Sequence, residues 1–93
     1  MQINGTRLWD SLMQMATIGA TSKGGNSRLA LTEEDKLGRD LFIQWCQEAG
    51  LSIQRDLIGN LFAVRAGQDS SLPPIVMGSH LDTQPKGGKF EGI

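Results

Sequence analysis

The spacing of apolar residues changes once along the chain, at Gly50, and this change constrains the fold more than any other feature of the sequence. Before Gly50, apolar residues recur every three or four positions, as they do on one face of an amphipathic helix. After Gly50 they alternate with polar residues, beginning with Leu51 and Ile53, which is typical of a strand with one buried face. The sequence therefore predicts helices in its first half and strands in its second half.

Two helices are predicted before Gly50. The first begins at a cap provided by Asn4 or Thr6 and ends near Gly19, and the second begins after the N-cap Thr32 and ends at Gly50. The apolar side chains of each helix fall on one face, which we interpret as packing surface. These side chains are Leu8, Trp9, Leu12, Met13 and Ala16 in the first helix, and Leu37, Leu41, Phe42, Trp45, Cys46 and Ala49 in the second.

Three strands are predicted after Gly50. Turn residues at 56–60 separate two short segments, 51–55 and 61–65, which together predict a β-hairpin. A short apolar run then follows Pro73 and Pro74. It predicts a strand from Ile75 to Ser79 that is buried on both faces. Two helices followed by a hairpin and a buried strand indicate an α/β fold with a mixed sheet.

Length, charge and cysteine content exclude several classes of protein. The chain has 93 residues, enough for one small domain, and no apolar stretch approaches the roughly 20 residues that span a bilayer. Its net charge of −1 provides no electrostatic basis for binding nucleic acid or an anionic membrane. The single cysteine, Cys46, predicts a buried structural thiol, and a cytoplasmic location follows from the lack of a disulfide pair and of a visible signal peptide.

A glycine pair at Gly24 and Gly25 raises the possibility of a phosphate-binding loop. The nucleotide-binding pattern requires Lys followed by Ser or Thr after its last glycine, whereas Asn26 follows here. The other glycine-rich dinucleotide pattern is absent from the sequence as well. A nucleotide-binding domain is therefore a weak interpretation.

The residues that carry chemistry follow the predicted buried strand. His80 is the only histidine, and it stands at the carboxyl end of that strand, where functional groups gather in open α/β sheets. Asp82 lies two positions later, on the same side of an extended backbone. A metal-binding imidazole usually has its second ring nitrogen held by a carboxylate or carbonyl, which this pair can provide. The pattern alone is weak, because a His near an Asp is more often a surface or structural pair.

A glycine-rich loop at 87–92 contains a further carboxylate, Glu91, eleven positions after His80. Glycine lets a loop fold back on itself at little steric cost, so this loop is able to bring Glu91 near His80. One imidazole and one carboxylate do not complete a catalytic zinc site, which commonly has three protein ligands and a water, and two-metal sites need still more. The chain by itself therefore lacks a full set of metal ligands.

Several separate runs, in this order, support a family resemblance. They are Arg7-Leu8-Trp9, Ile18-Gly19-Ala20-Thr21, Lys23-Gly24-Gly25, Ser27-Arg28-Leu29-Ala30-Leu31, Gly59-Asn60-Leu61-Phe62, Gly78-Ser79-His80-Leu81-Asp82-Thr83, Gly87-Gly88-Lys89-Phe90 and Gly92. The sequence resembles the hydantoinase/carbamoylase branch of the M20 metallopeptidase-like family, which includes N-carbamoyl-L-amino-acid hydrolases, β-ureidopropionases and allantoate amidohydrolases. The resemblance implies that residues 1–93 form the N-terminal portion of the catalytic domain, without the rest of that domain and without the dimerisation (lid) domain.

The resemblance also implies a reaction and a site. The complete enzyme would hold two divalent metal ions, zinc or else manganese, cobalt or nickel, and would hydrolyse the ureido C–N bond of N-carbamoyl-L-α-amino acids, N-carbamoyl-β-alanine or allantoate. His80 would ligate one metal, and Asp82 would orient the ring of His80. Glu91 stands at the position of the carboxylate that bridges both metals, which is typically Asp in the family. The complete enzyme is expected to be a homodimer with a small-molecule substrate and no nucleic-acid or membrane partner.

Two other interpretations are weighed against this one. Another M20 amidohydrolase, such as an aminoacylase or a dipeptidase, is disfavoured by Arg28-Leu29-Ala30 and by the loop at 87–92. The second alternative is an inactive remnant or a non-catalytic fragment, because the chain has a single histidine. The 93-residue chain alone is expected to be inactive. It is also expected to be poorly stable, since the predicted strand Ile75 to Ser79 belongs in the middle of a larger sheet.

Overall fold

The computed structural model describes residues 3–68 and 71–91 and contains two helices followed by a two-stranded sheet. Helix α1 spans Gly5–Ala16 and helix α2 spans Glu33–Glu48, while strands β1 and β2 span Ser52–Arg55 and Leu61–Val64. The chain divides into two compact units, one formed by Met1–Arg39 with Ser79–Ile93 and the other by Asp40–Gly78. None of the helices among the described residues has the length and apolar character needed to cross a membrane.

Helix α1 begins and ends close to the predicted positions. The side chain of Asn4 caps it by accepting a hydrogen bond from the backbone N–H of Arg7 at 3.0 Å. Gly19 follows the helix with a φ of 80°, the left-handed conformation that glycine adopts without strain. Its apolar face is buried only at the C-terminal end, in Met15 and Ala16.

The prediction that the apolar face of α1 is packing surface is wrong for the N-terminal half of the helix. Leu8 is 54% exposed and Trp9 is 55% exposed, although the ring of Trp9 contacts the ring of Phe90 with centroids 5.6 Å apart. Periodicity identifies which side chains share a face, but it does not determine whether another element covers that face.

Helix α2 is capped as the sequence predicts. The hydroxyl of Thr32 accepts a hydrogen bond from the backbone N–H of Asp35 at 3.3 Å, and the acidic first turn is favourable beside the helix dipole. The helix closes at Gly50, which has a φ of 81°. Cys46 is buried, as predicted, and its burial raises the pKa of the thiol above the ordinary value.

The predicted hairpin is present and antiparallel. Ser52 pairs with Val64 and Arg55 with Leu61, so the two strands are in register over their full length. The turn between them is held by Asp56, whose Oδ1 accepts from the backbone N–H groups of Ile58 and Asn60 at 3.1 and 2.8 Å.

The α/β class with two helices and a hairpin is confirmed, but the buried strand predicted for Ile75 to Ser79 is not formed among the described residues. Ile75, Val76 and Met77 are 94, 78 and 89% exposed, and the sheet of the described residues is purely antiparallel rather than mixed. A strand is stabilised by a hydrogen-bonded neighbour and by burial of its side chains. No described strand pairs with Ile75, Val76 or Met77, and their side chains are exposed.

Candidate functional site

The segment that carries the predicted chemistry, residues 79–91, is held in place by hydrogen bonds to an irregular loop rather than by a helix or strand. The backbone N–H of Asn26 donates to the carbonyl of Gly87 at 2.8 Å, and the N–H of Thr83 donates to the carbonyl of Arg28 at 2.7 Å. These contacts join the segment to the loop after α1 within one compact unit. The site is therefore built on main-chain pairing between two stretches that are distant in sequence.

His80 and Asp82 are in contact, as their spacing predicts. The Nδ1 atom of His80 lies 3.1 Å from Oδ1 of Asp82 and 2.9 Å from the Asp82 carbonyl oxygen. Both oxygens are acceptors, so Nδ1 carries the proton in a neutral ring and Nε2 keeps its lone pair. The side chains are 50% and 41% exposed, which leaves the pair open to a ligand from solution.

Glu91 is folded back by the glycine-rich loop and contacts the backbone of Gln84. Its Oε2 accepts a hydrogen bond from the backbone N–H of Gln84 at 2.8 Å. A Cβ atom at Gly87 would lie 2.6 Å from that same oxygen, so the carboxylate packs against a backbone with no room for a side chain. No hydrogen bond or ion pair joins Glu91 to His80 within the described part of the chain.

The described residues contain no group of three or more His, Cys, Asp or Glu side chains that is able to hold a metal ion. Gly92, which is part of the same motif, lies outside the described residues.

Arg28 is a buried residue beside the predicted site whose contacts sequence reasoning missed. Its side chain is fully buried, and Nε donates to the carbonyl oxygen of Leu81 at 2.8 Å. Nη1 donates to the carbonyl oxygens of Met15 and Ile18 at 3.1 and 2.7 Å. Nη2 is buried without a hydrogen-bond partner among the described residues. Burial lowers the pKa of the guanidinium, while attraction to Asp35 and Asp82 opposes that shift.

Asn26 and Thr83 complete the polar interior around Arg28. The Nδ2 atom of Asn26 donates to the carbonyl oxygens of Ala16 and Ile18 at 3.2 and 3.0 Å, which fixes the loop against the end of α1. The hydroxyl of Thr83 accepts a hydrogen bond from the backbone N–H of Arg28 at 2.7 Å. Both side chains are buried, so these hydrogen bonds satisfy groups that have no access to water.

A shallow depression of about 200 Å³ lies elsewhere in the same unit. It is lined by Met13, Ala16, Thr17, Ala20 and Lys89. None of the three predicted site residues lines it. The predicted chemistry is therefore not located in this depression.

No family model matches the chain. Comparison with individual known proteins, however, finds relatives that agree with one another. The chain is 54% identical over 92 residues to an N-carbamoyl-L-amino-acid amidohydrolase of Rhizobium meliloti, and 41% identical over 91 residues to one of Pseudomonas sp. (strain NS671). These matches cover 99% and 98% of this chain and 22% of each relative.

A solved structure gives the same result. The crystal structure of a hydantoinase/carbamoylase family amidase from Burkholderia ambifaria superimposes with a TM-score of 0.95 and 58% sequence identity. The match covers 98% of this chain and 22% of that one. The chain thus spans about 22% of the length of the proteins it matches.

Proposed function

The chain belongs to the hydantoinase/carbamoylase family of amidases, and we propose that it supplies part of the metal site of an enzyme that hydrolyses the ureido C–N bond of N-carbamoyl-L-amino acids. The proposal concerns a protein of the relatives' full length, of which this chain covers about 22%. Cytoplasmic location belongs to the same proposal and is supported by the single, buried thiol of Cys46.

The contact between His80 and Asp82 is the observation that carries the proposal. A carboxylate on Nδ1 fixes the tautomer in which Nε2 is free to bind a metal ion, and it also makes the ring a stronger ligand. The pair is partly exposed, and Nδ1 of His80 lies 3.1 Å from Oδ1 of Asp82. Metal-binding histidines commonly have such a carboxylate hydrogen-bonded to their second ring nitrogen.

The donor types present fit a divalent transition metal. Neutral imidazole suits zinc, nickel and cobalt, and carboxylate oxygens suit manganese as well as zinc. His80 would bind through Nε2 and Glu91 through its carboxylate. Further ligands would come from residues outside the part of the chain that the structure describes. A bound ion of this kind polarises a carbonyl and lowers the pKa of a coordinated water.

The chain's own residues prepare the site in two ways. Asp82 accepts the Nδ1–H of His80 and so holds the orientation of the ring. The backbone N–H of Gln84 holds Oε2 of Glu91 and limits the positions open to that carboxylate.

The substrate assignment rests on the names of relatives. Both curated relatives described above are named for N-carbamoyl-L-amino acids, which favours these over N-carbamoyl-β-alanine and allantoate. An aminoacylase or dipeptidase activity has no support from either name. A homodimer, as the resemblance implies, remains a proposal for the full-length enzyme.

A chimeric enzyme tests this function. The Rhizobium meliloti relative would receive this chain in place of its own matching 92 residues. Ammonia release would then be measured with an N-carbamoyl-L-amino acid, N-carbamoyl-β-alanine and allantoate. We expect the first to be hydrolysed fastest, and we expect His80→Ala to abolish hydrolysis of all three. A Gln14→Ala chimera, changed at an exposed position of α1, serves as the matched control.

Metal content of the same proteins separates the metal from the reaction. We expect the chimera to bind zinc or manganese more tightly than its His80→Ala variant, measured by calorimetry after removal of metal. Equal affinity in the two proteins would contradict the role of His80. A folded chimera that binds metal but leaves all three substrates intact would contradict the substrate class alone.

A further inference from the structure

We propose that Arg28 is a positioning residue for the His80–Asp82 pair, because it holds the peptide groups on both sides of Asp82. The importance of the pair rests on the function proposed above. The geometry of the pair, and the effect of Arg28 on it, are measurable without any metal or substrate.

The side chain of Arg28 holds the peptide group that precedes Asp82. Nε of Arg28 donates to the carbonyl oxygen of Leu81 at 2.8 Å, and this carbonyl belongs to the peptide bond between Leu81 and Asp82. A hydrogen bond from a charged donor is shorter and stronger than one between neutral groups. The rotation of this peptide plane is therefore restricted by the guanidinium.

The main chain of Arg28 holds the peptide group that follows Asp82. The N–H of Thr83, which belongs to the peptide bond between Asp82 and Thr83, donates to the Arg28 carbonyl at 2.7 Å. In return, the N–H of Arg28 donates to the hydroxyl of Thr83 at 2.7 Å. Asp82 thus lies between two peptide groups that are both bound by one residue.

Arg28 is able to act as a fixed point because its own position is restrained. Nη1 is bound to the carbonyls of Met15 and Ile18 at the C-terminal end of α1, where a positive charge is favoured by the helix dipole. The stem lies over Gly38, where an added Cβ would come within 3.0 Å of Cδ and 3.4 Å of Nε. Glycine at this position leaves the stem the space it occupies.

Lysine is not equivalent to arginine here. Its single ammonium group sits at the end of a flexible stem and has no donor at the position of Nε, so it cannot bind the Leu81 carbonyl while also reaching those of α1. Arg28→Lys therefore keeps the charge and removes the fork of donors. The change tests the geometry of the guanidinium rather than its charge.

A purely structural role for Arg28 makes a different prediction from a positioning role. A structural residue would lower stability and leave the His80–Asp82 contact intact in molecules that remain folded. A positioning residue would alter that contact in the folded molecules themselves. The ring of His80 reports the difference, because it is the only histidine in the chain and gives unambiguous signals.

The experiment is ¹⁵N NMR of the imidazole in the full chain, residues 1–93, at one fixed alkaline pH. In the parent chain we expect the Nδ1–H tautomer to predominate, because Asp82 accepts that proton. In Arg28→Lys we expect this tautomer to lose its predominance, with both tautomers populated. Arg55→Lys, the same change at an exposed arginine of β1, is expected to leave the tautomer ratio unchanged.

A second variant covers the case in which Arg28→Lys does not fold. Gly38→Ala removes no polar group and replaces glycine by a better helix former in α2, so it favours folding of the helix. Its methyl group presses on Cδ and Nε of Arg28, and we expect a smaller change in tautomer ratio in the same direction. Dispersion of the amide spectrum shows in each case that the molecules observed are folded.

The outcomes distinguish this inference from the proposed function. A changed tautomer ratio in folded Arg28→Lys or Gly38→Ala supports positioning, whether or not the chain binds metal. A tautomer ratio of His80 equal to that of the parent chain in both folded variants would overturn the inference, even if His80 is shown to bind zinc. If Arg28→Lys is unfolded, the ratio in Gly38→Ala decides alone.

Discussion

Thr83 illustrates at the scale of one residue how the site depends on buried polar contacts. Its hydroxyl accepts the N–H of Arg28, and both groups are away from water. A buried N–H that loses its acceptor costs more free energy than the hydrogen bond contributed, because the group remains desolvated. The hydroxyl of Thr83 is therefore expected to matter more than its methyl group.

Replacement of Thr83 by valine or serine tests this point. Thr83→Val keeps the shape but leaves the Arg28 N–H unpaired, and we expect a loss of about 1–3 kcal/mol in the free energy of unfolding. Thr83→Ser keeps the hydroxyl and removes one methyl, which should cost about 1 kcal/mol. Urea denaturation of both variants makes the comparison. A serine variant less stable than the valine variant would contradict the argument.

At the scale of single residues, the sequence predicted the contact between His80 and Asp82. It did not predict the buried contacts of Arg28 beside them. The pairing of His80 with Asp82 follows from a two-residue spacing and is present in the structure. Arg28 was noticed only as part of a family-like run, and its burial was not predicted. Its side-chain partners are mainly backbone carbonyls, including that of Leu81, 53 positions away. Every residue has a backbone carbonyl, so no pattern of side chains indicates such contacts in advance.

Among the loops, two glycines with the same backbone conformation differ in their surroundings. Gly19 and Gly24 have φ values of 80° and 81°, so a side chain at either position is strained to a similar degree. An added Cβ at Gly24 meets nothing within 4 Å. At Gly19 it would lie 2.7 Å from the carbonyl oxygen of Ser27, which precedes Arg28.

The difference predicts unequal effects of the same substitution. Gly24→Ala should cost about 1–2 kcal/mol, the strain of a left-handed alanine. Gly19→Ala adds a backbone collision, and we expect it to be less stable than Gly24→Ala by a further 1–3 kcal/mol or so, as for other overpacked sites. Thermal or urea unfolding of the pair measures this difference directly. Equal stabilities would show that the loop at 26–28 shifts without cost.

The hairpin turn carries a pH dependence of its own. The side-chain amide of Asn60 donates to Oδ2 of Asp56 at 2.7 Å, and this bond, together with backbone N–H donors, lowers the carboxyl pKa below its ordinary value of 3.8. Because the folded pKa is the lower one, the stabilisation of the turn is present above pH 3.8 and is lost as the pH falls through the folded value.

We therefore expect the amide signals of Ile58 and Asn60 to titrate with a midpoint below 3.8, the ordinary value of an aspartic acid side chain. The measurement is a series of amide NMR spectra from neutral to acidic pH. Asp56→Asn keeps an acceptor oxygen but has no proton to gain, so its turn should not titrate over the same range. A midpoint at or above 3.8 in the parent chain would contradict the role of the carboxylate.

The elements that formed as predicted are those whose determinants are local. Thr32 caps α2, Gly50 ends it, and Asp56 closes the turn, each through atoms within four or five residues. The strand predicted for Ile75 to Ser79 depends on partners outside its own sequence. Its apolar run indicates that it is suited to a sheet interior, but no described strand pairs with it.

For the chain as a whole, the exposed run at Ile75, Val76 and Met77 has a consequence for behaviour in solution. These side chains are nearly fully exposed, and their backbone is unpaired by any described strand. Consecutive exposed apolar residues with free backbone groups are able to pair with the same segment of another copy. The buried apolar residues among those described are Met15, Ala16 and Cys46, a small core to oppose this tendency.

We accordingly expect the 93-residue chain to self-associate increasingly with concentration and to melt at low temperature. Val76→Lys places a charge in the run and should shift sedimentation velocity profiles toward the monomer, because an ammonium group resists burial between copies. Gln68→Lys, the same added charge at an exposed polar position, should leave association nearly unchanged. A parent chain that sediments as a monomer at every concentration and melts cooperatively at high temperature would mean that its exposed apolar run neither recruits a second copy nor weakens the fold.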